Sequence, residues 1–339
     1  MSAELVVHRA GPQLSLQDRG RPGWITQGLS RGGAMDRLAL AEGEALLGHG
    51  PQAALEMGGM GGLFEATHPV RIALTGAPMR ASVDGAPVAW NASHALPAGA
   101  RLDIGPVTAG AYGYLHVGGG FDGPELLGAR SAHLTAGLGA RIEAGARLPL
   151  RPDRATATGT NRKLRVDDRF RGGTLRIVPS LQTGFFPEDQ RDRLGSEGFT
   201  RDNRANRMGV KVVPDGAGYG VEGGLSVVSE VISPGDIQIT GDGAPFVLLA
   251  ECQTTGGYPR LATVIPADLP RIAQAPAGAR LAFRFVTLDQ ALEAEAAHRR
   301  ALGELPRRVE ALIRDPADVP DLLGHKLVSG FSDGEHHDH

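Results

Sequence analysis

Pro97-Ala98-Gly99-Ala100-Arg101-Leu102 recurs unchanged as Pro276-Ala277-Gly278-Ala279-Arg280-Leu281. Each copy reads as a Gly-centred turn feeding a strand. A shorter copy, Ala144-Gly145-Ala146-Arg147-Leu148, lies between them and taken alone is what chance yields in a chain rich in Ala, Gly and Arg. Other matches hold a similar separation. Ser30-Arg31 and Met35 fall opposite Asn203-Arg204 and Met208, and Leu55-Glu56 opposite Ser229-Glu230. An ordered set of matches spaced by about half the chain points to duplication of a whole domain. The boundary is expected at residues 151–172, where Arg151-Pro152-Asp153-Arg154-Ala155-Thr156 has no apolar period and reads as a linker. A fresh strand, Thr174-Leu175-Arg176-Ile177-Val178, opens the second half.

The repeated unit is β-rich. Short apolar or alternating runs at residues 70–75, 102–104, 112–117, 246–250 and 281–286 are bounded by Gly, Pro, Asp or Asn. Asp84-Gly85 marks a hairpin turn. Helices are few. Residues 35–47 place Leu38, Ala41, Ala45 and Leu46 on one side, with Gly48 to close the helix. Residues 187–194 start with Pro and two acids. Thr287-Leu288-Asp289-Gln290 is a capping box opening a C-terminal helical extension over 287–339.

The totals exclude several functions. With 339 residues the chain holds two cores, and a net charge of -3 offers no basic face to nucleic acid. No apolar run is long enough to span a bilayer. Cys252 is the only cysteine, so no intrachain disulfide forms and a cytoplasmic location is expected. The histidines lack ligand spacing, so no metal is expected. No P-loop and no dinucleotide fingerprint is present.

Three segments carry candidate chemistry. Gln253-Thr254-Thr255-Gly256-Gly257-Tyr258-Pro259 follows an apolar strand. Its paired glycines let backbone amides approach a ligand, and Gln253 and the threonines add neutral donors suited to an oxyanion or carboxamide. A decorated turn fits the same residues equally well. Gln17-Asp18-Arg19-Gly20-Arg21-Pro22-Gly23 joins an amide, an acid and guanidinium groups at a strand end; such a loop binds a carboxylate or positions water, although a solvated turn is its simpler reading. Gly28-Leu29-Ser30-Arg31-Gly32 matches the nucleophile-elbow pattern, but the strand–helix alternation of an α/β-hydrolase is missing, which favours a plain Gly-rich loop. Cys252 lacks a base in the sequence and reads as packed.

These runs, with Gly33-Ala34-Met35-Asp36, Gly118-Gly119-Gly120-Phe121-Asp122, Asn206-Arg207-Met208-Gly209 and Pro234-Gly235-Asp236-Ile237-Gln238, resemble a known family. It is the urea amidolyase-related, biotin-dependent carboxyltransferase-like family, also called allophanate hydrolase subunit 2, and the resemblance runs over about residues 4–286 to its 5-oxoprolinase branch. Family members often carry Asp and a basic residue where this chain has Glu251 and Cys252.

The resemblance implies two tandem cyclophilin-like β-barrel domains, at 1–150 and 173–286. It implies a subunit that works with a partner of related fold and a third subunit to open 5-oxo-L-proline to L-glutamate with ATP, an amide (lactam) hydrolase active in complex. Catalytic roles would fall to Asp18, Glu230 and Gln253. Gln17, Arg21, Arg207, Thr254, Thr255, Gly256, Gly257 and Tyr258 would bind the substrate, a small amide or carboxylate. ATP would be used by the assembled complex. No covalent biotin is expected, because Ala34-Met35-Asp36-Arg37 has no lysine to modify. Two alternatives remain: a carboxyltransferase component of a biotin-dependent system, and a non-enzymatic regulatory binder of a kinase-inhibitor partner. The expected active site is a cleft shared by the 17–23 and 253–259 segments.

Overall fold

The computed structural model describes residues 3–221 and 228–312. Its architecture is mainly β. In the first half a six-stranded and a seven-stranded sheet pack face to face. Leu5, Val7, Phe64, Leu102 and Ile104 from one sheet meet Leu55, Met57, Ile72, Leu74 and Leu115 from the other. The second half is a closed barrel, in which Gly173–Val178 pairs in parallel with Arg280–Phe285, the strand of the second repeat copy. Its core of Leu175, Ile177, Phe199, Val212, Ile237, Val247 and Phe283 runs without a break into Met35, Leu40, Tyr112 and Tyr114 of the first half.

The repeat makes the same turn each time. Gly99 and Gly278 have φ of +76° and +80°, the left-handed region that glycine enters without a Cβ clash. Ala100 N–H returns to the Pro97 carbonyl and Ala279 N–H to that of Pro276, ahead of strands Arg101–Val107 and Arg280–Phe285. The short copy matches too. Gly145 has φ +90°, Ala146 N–H reaches the Glu143 carbonyl, and strand Arg147–Pro149 follows. The local signal was therefore sound at all three places, the one attributed to chance included. Asp84 and Gly85 both take positive φ, forming the tight hairpin.

Four α-helices occur among the described residues. Helix α1 (Arg37–Leu47) is capped by the Asp36 carboxylate, which accepts from Leu38 and Ala39 N–H at 3.1 Å, and ends at Gly48. Short helices α2 (Glu188–Ser196) and α3 (Leu269–Gln274) brace the barrel. Helix α4 (Leu288–Glu304) opens on the expected capping box.

Two stretches differ from expectation. Arg162–Leu164, inside the expected linker, is a strand of the first half's seven-stranded sheet, and Val309–Ala311, inside the C-terminal extension, pairs with it. The first read as a linker and the second as part of a helical extension, because their pairing partners are remote in sequence. The rest of the expected extension, from residue 313 on, lies outside the described residues.

Nothing lies within 4 Å of a Cβ built on Gly278, so a side chain there is opposed by backbone conformation alone. Gly278→Ala is expected to lower stability by about 1–2 kcal/mol, read as a drop in the midpoint of urea unfolding with an unchanged m-value.

Candidate functional site

The 253–259 loop is anchored on both sides. Strand Pro245–Leu248 leads into it, and Thr255–Gly256 pairs with Glu230–Val231, placing Glu230 opposite Gly256. Ile232 N–H donates to the Thr254 carbonyl and Ile239 N–H to that of Pro259. Gln253, Thr255 and Tyr258 are exposed, whereas Thr254 is buried. Glu230 Oε2 accepts from Gln182 Nε2 at 2.9 Å and is ion-paired with Arg260. Gln182 Oε1 in turn accepts from Arg260 N–H.

Beneath this loop lies a group that the sequence motifs did not single out as a site residue. Gln238 is buried, and its Nε2 has no hydrogen-bond partner among the described residues. It sits against Gly256, where an added Cβ would stand 2.6 Å from Nε2. A side chain at Gly256 would push the Gln238 amide aside. A buried amide donor left unpaired costs about 1–3 kcal/mol, so a ligand oxygen accepting from it would recover that cost. Alternation in the strand Asp236–Ile239 was the only available signal, and it marks Gln238 merely as polar.

Cys252 is buried beside Ile232 and Leu248, and burial pushes its thiol up to about 12. The thiolate nucleophile is therefore scarce at neutral pH.

The 17–23 segment is engaged internally. Asp18 accepts from Gly20 N–H at 2.8 Å and Arg130 N–H at 2.7 Å. Gln17 Nε2 donates to Ser15 Oγ and the Ala132 carbonyl. Arg21 is 1% exposed and donates to the Ser131 and Leu126 carbonyls. These side chains pin the segment to residues 126–132.

Arg207, expected to hold a substrate carboxylate or phosphate, is instead saturated by the protein. It is paired with Glu56, donates to Glu251 Oε1 at 2.5 Å and to the Gly33 carbonyl at 2.6 Å. Tyr114 Oη and Met35 N–H complete the shell of Glu56, at 2.7 and 2.8 Å. Thr135 donates twice to Glu251 Oε2, both at 3.0 Å. Burial opposes ionisation of Glu251, yet the Arg207 charge and these donors hold its carboxyl below the ordinary value.

The elbow-like Ser30 does find a histidine, His133 Nε2 at 2.8 Å. However, His133 Nδ1 accepts from Ala136 N–H at 3.2 Å, which puts the ring proton on Nε2, pointing at Ser30. Glu251 stands 3.9 Å from Nδ1. A base aimed at the serine needs the opposite tautomer, so this trio is structural.

No hydrogen bond or ion pair passes directly between 17–23 and 253–259 among the described residues. Linkage runs through Gly32 N–H to the Ala250 carbonyl and through Glu251 to Thr135. A cavity of about 770 Å³ does lie between the halves, but it takes only Arg19 from the first segment and nothing from the second.

This architecture defines the class. Residues 27–285 match the family model "Carboxyltransferase domain, subdomain A and B", and the chain belongs to that family. It is 31% identical over 315 residues to a 5-oxoprolinase subunit of Escherichia coli (strain K12), covering 90% of this chain and 98% of that protein. It is 28% identical to a putative urea carboxylase of Emericella nidulans, covering 86% of this chain but 25% of the other. The crystal structure of TTHA0988 superposes with a TM-score of 0.74 at 30% identity, over 84% of this chain and 56% of that one. K. lactis urea amidolyase shares the fold, with a TM-score of 0.79 at 20% identity over 93% of this chain and 21% of that one. The chain thus spans about half of TTHA0988 and about a fifth of the amidolyase.

A buried thiol this reluctant to ionise should resist modification. At pH 8 the native protein is expected to react with a disulfide reagent at least 100-fold more slowly than the protein in denaturant, as followed by thiolate release.

Proposed function

We propose that the chain belongs to an ATP-dependent 5-oxoprolinase, working with a partner of related fold and a third subunit to open 5-oxo-L-proline to L-glutamate. The observation that carries this reading is the 31% identity spread over 98% of a relative named as a 5-oxoprolinase subunit. The loop chemistry supports it. Opening a lactam builds negative charge on the ring carbonyl oxygen, and a fixed neutral donor stabilises that charge without desolvating an ion.

Gln238 Nε2 is such a donor, lying unpaired against Gly256. Gln253 and Tyr258 at the exposed rim orient the ring. Glu230, held by Gln182 and Arg260, keeps a carboxylate at the edge to accept or position a proton. In this reading Asp18 and Arg207 act through the loops they hold. ATP is consumed by the assembled complex.

The carboxyltransferase reading is favoured by the family match and by the urea carboxylase relative. It differs in requiring bicarbonate and a biotinylated partner.

Reconstitution with both partner subunits tests the proposal, with glutamate formation from 5-oxoproline and ATP as the readout. Turnover should need all three chains. Gln238→Leu should lower kcat about 100-fold while the complex stays assembled. A folded complex that forms no glutamate overturns the reading. Carboxylation dependent on bicarbonate and biotin would replace it.

A further inference from the structure

The cavity between the halves has an unusual charge balance. Helix α1 forms one wall with Leu38, Ala41 and Ala45, while Leu249 of the barrel and Leu302 of α4 face them. Arg37, the first residue of α1, extends into this space, with Arg31 and Arg19 beside it. Arg19 is paired with Glu44 at 2.5 Å. Arg31 donates Nε to the Arg19 carbonyl and meets no carboxylate at ion-pair distance among the described residues. Arg37 has no hydrogen-bond or ion-pair partner among them. Burial, with Arg31 and Arg19 nearby, pulls Arg37 down to about 10.

The Arg37 guanidinium, partly enclosed by apolar side chains and without an ion-pair partner among the described residues, is costly to leave unpaired. The same cavity holds unpaired acceptors. Glu44 Oε1 and Glu295 Oε2 are buried without hydrogen-bond partners, while their other oxygens pair with Arg19 and Arg299. An unpaired guanidinium and unpaired acceptor oxygens in one cavity describe the complement of a ligand. Such a ligand is a small dianion with a hydroxyl or amine on its body.

We infer that the cavity is a second binding site, taking a small organic dianion that carries a hydroxyl or amine donor, with Arg37 and Arg31 on the anionic group and Glu44 accepting from the donor. A phosphomonoester and a dicarboxylate share this chemistry. Neither Gln238 nor the 253–259 loop lines the cavity, so the inference stands apart from the 5-oxoprolinase reading.

Calorimetric titration of the full chain with glycerol 1-phosphate and with L-malate tests it, acetate and glycerol serving as controls. At least one dianion should bind saturably at one site, more weakly as salt rises, and both controls should fail to compete. Binding of only the phosphate ester, or only malate, assigns the anionic group. Arg37→Leu should weaken binding at least tenfold while thermal unfolding shows the fold intact, since no hydrogen bond or ion pair among the described residues is lost. Arg31→Gln, at the exposed mouth, should weaken it in the same direction and supplies the readout if Arg37→Leu misfolds. Gln238→Leu should bind as the unmodified chain does. Absence of saturable binding by both dianions, or full affinity in the arginine variants, overturns the inference.

Discussion

Arg207 is the contact on which the arrangement of the two halves depends. Its guanidinium lies buried between Glu56 from a first-half strand and Glu251 from the turn before the 253–259 loop. A buried charge is tolerable only when its partners are complete, and here every nitrogen has one. Burial alone would lower the basicity of Arg207, but the two carboxylates more than reverse that. Tyr114, Met35 N–H and Thr135 then satisfy the carboxylates in turn. The network closes on itself, so that Arg207, Glu56 and Glu251 each have a counter-ion.

A second node repeats the logic a short way along. Arg169 donates to Asp36 at 2.7 Å and twice to Glu42, and Gln274 of α3 reaches the same Asp36 oxygen at 2.8 Å. Asp36 also caps α1. One carboxylate thus starts a helix, receives the segment leaving the first half and anchors a barrel helix. The outcome is a fixed α1, whose outer face becomes a wall of the cavity. Of Leu38, Ala41, Ala45 and Leu46, read from the sequence as one side of the helix, Leu46 is fully buried and the other three pack against the same cluster while also lining that space.

What the sequence made legible was local. The Gly99 and Gly278 turns, the Asp84-Gly85 hairpin and the Thr287–Gln290 box each carry their cause within a few residues, and each occurs as expected. The ion-pair nodes do not. Arg207 and Glu56 are 151 residues apart, and Arg169 and Asp36 are 133 apart, so no pattern in a short window couples them. For the same reason Arg207 read as a ligand holder: a lone arginine in a Gly-bounded motif shows its charge but not its partners. Gln238 was missed conversely, since its significance lies in the partner it lacks.

A double-mutant cycle on Arg207→Met and Glu56→Gln, followed by chemical unfolding, tests the central claim most directly. If this pair holds the halves together, Arg207→Met costs about 3–5 kcal/mol and the coupling energy exceeds about 1.5 kcal/mol. Additive effects, with coupling below about 0.5 kcal/mol, would contradict it.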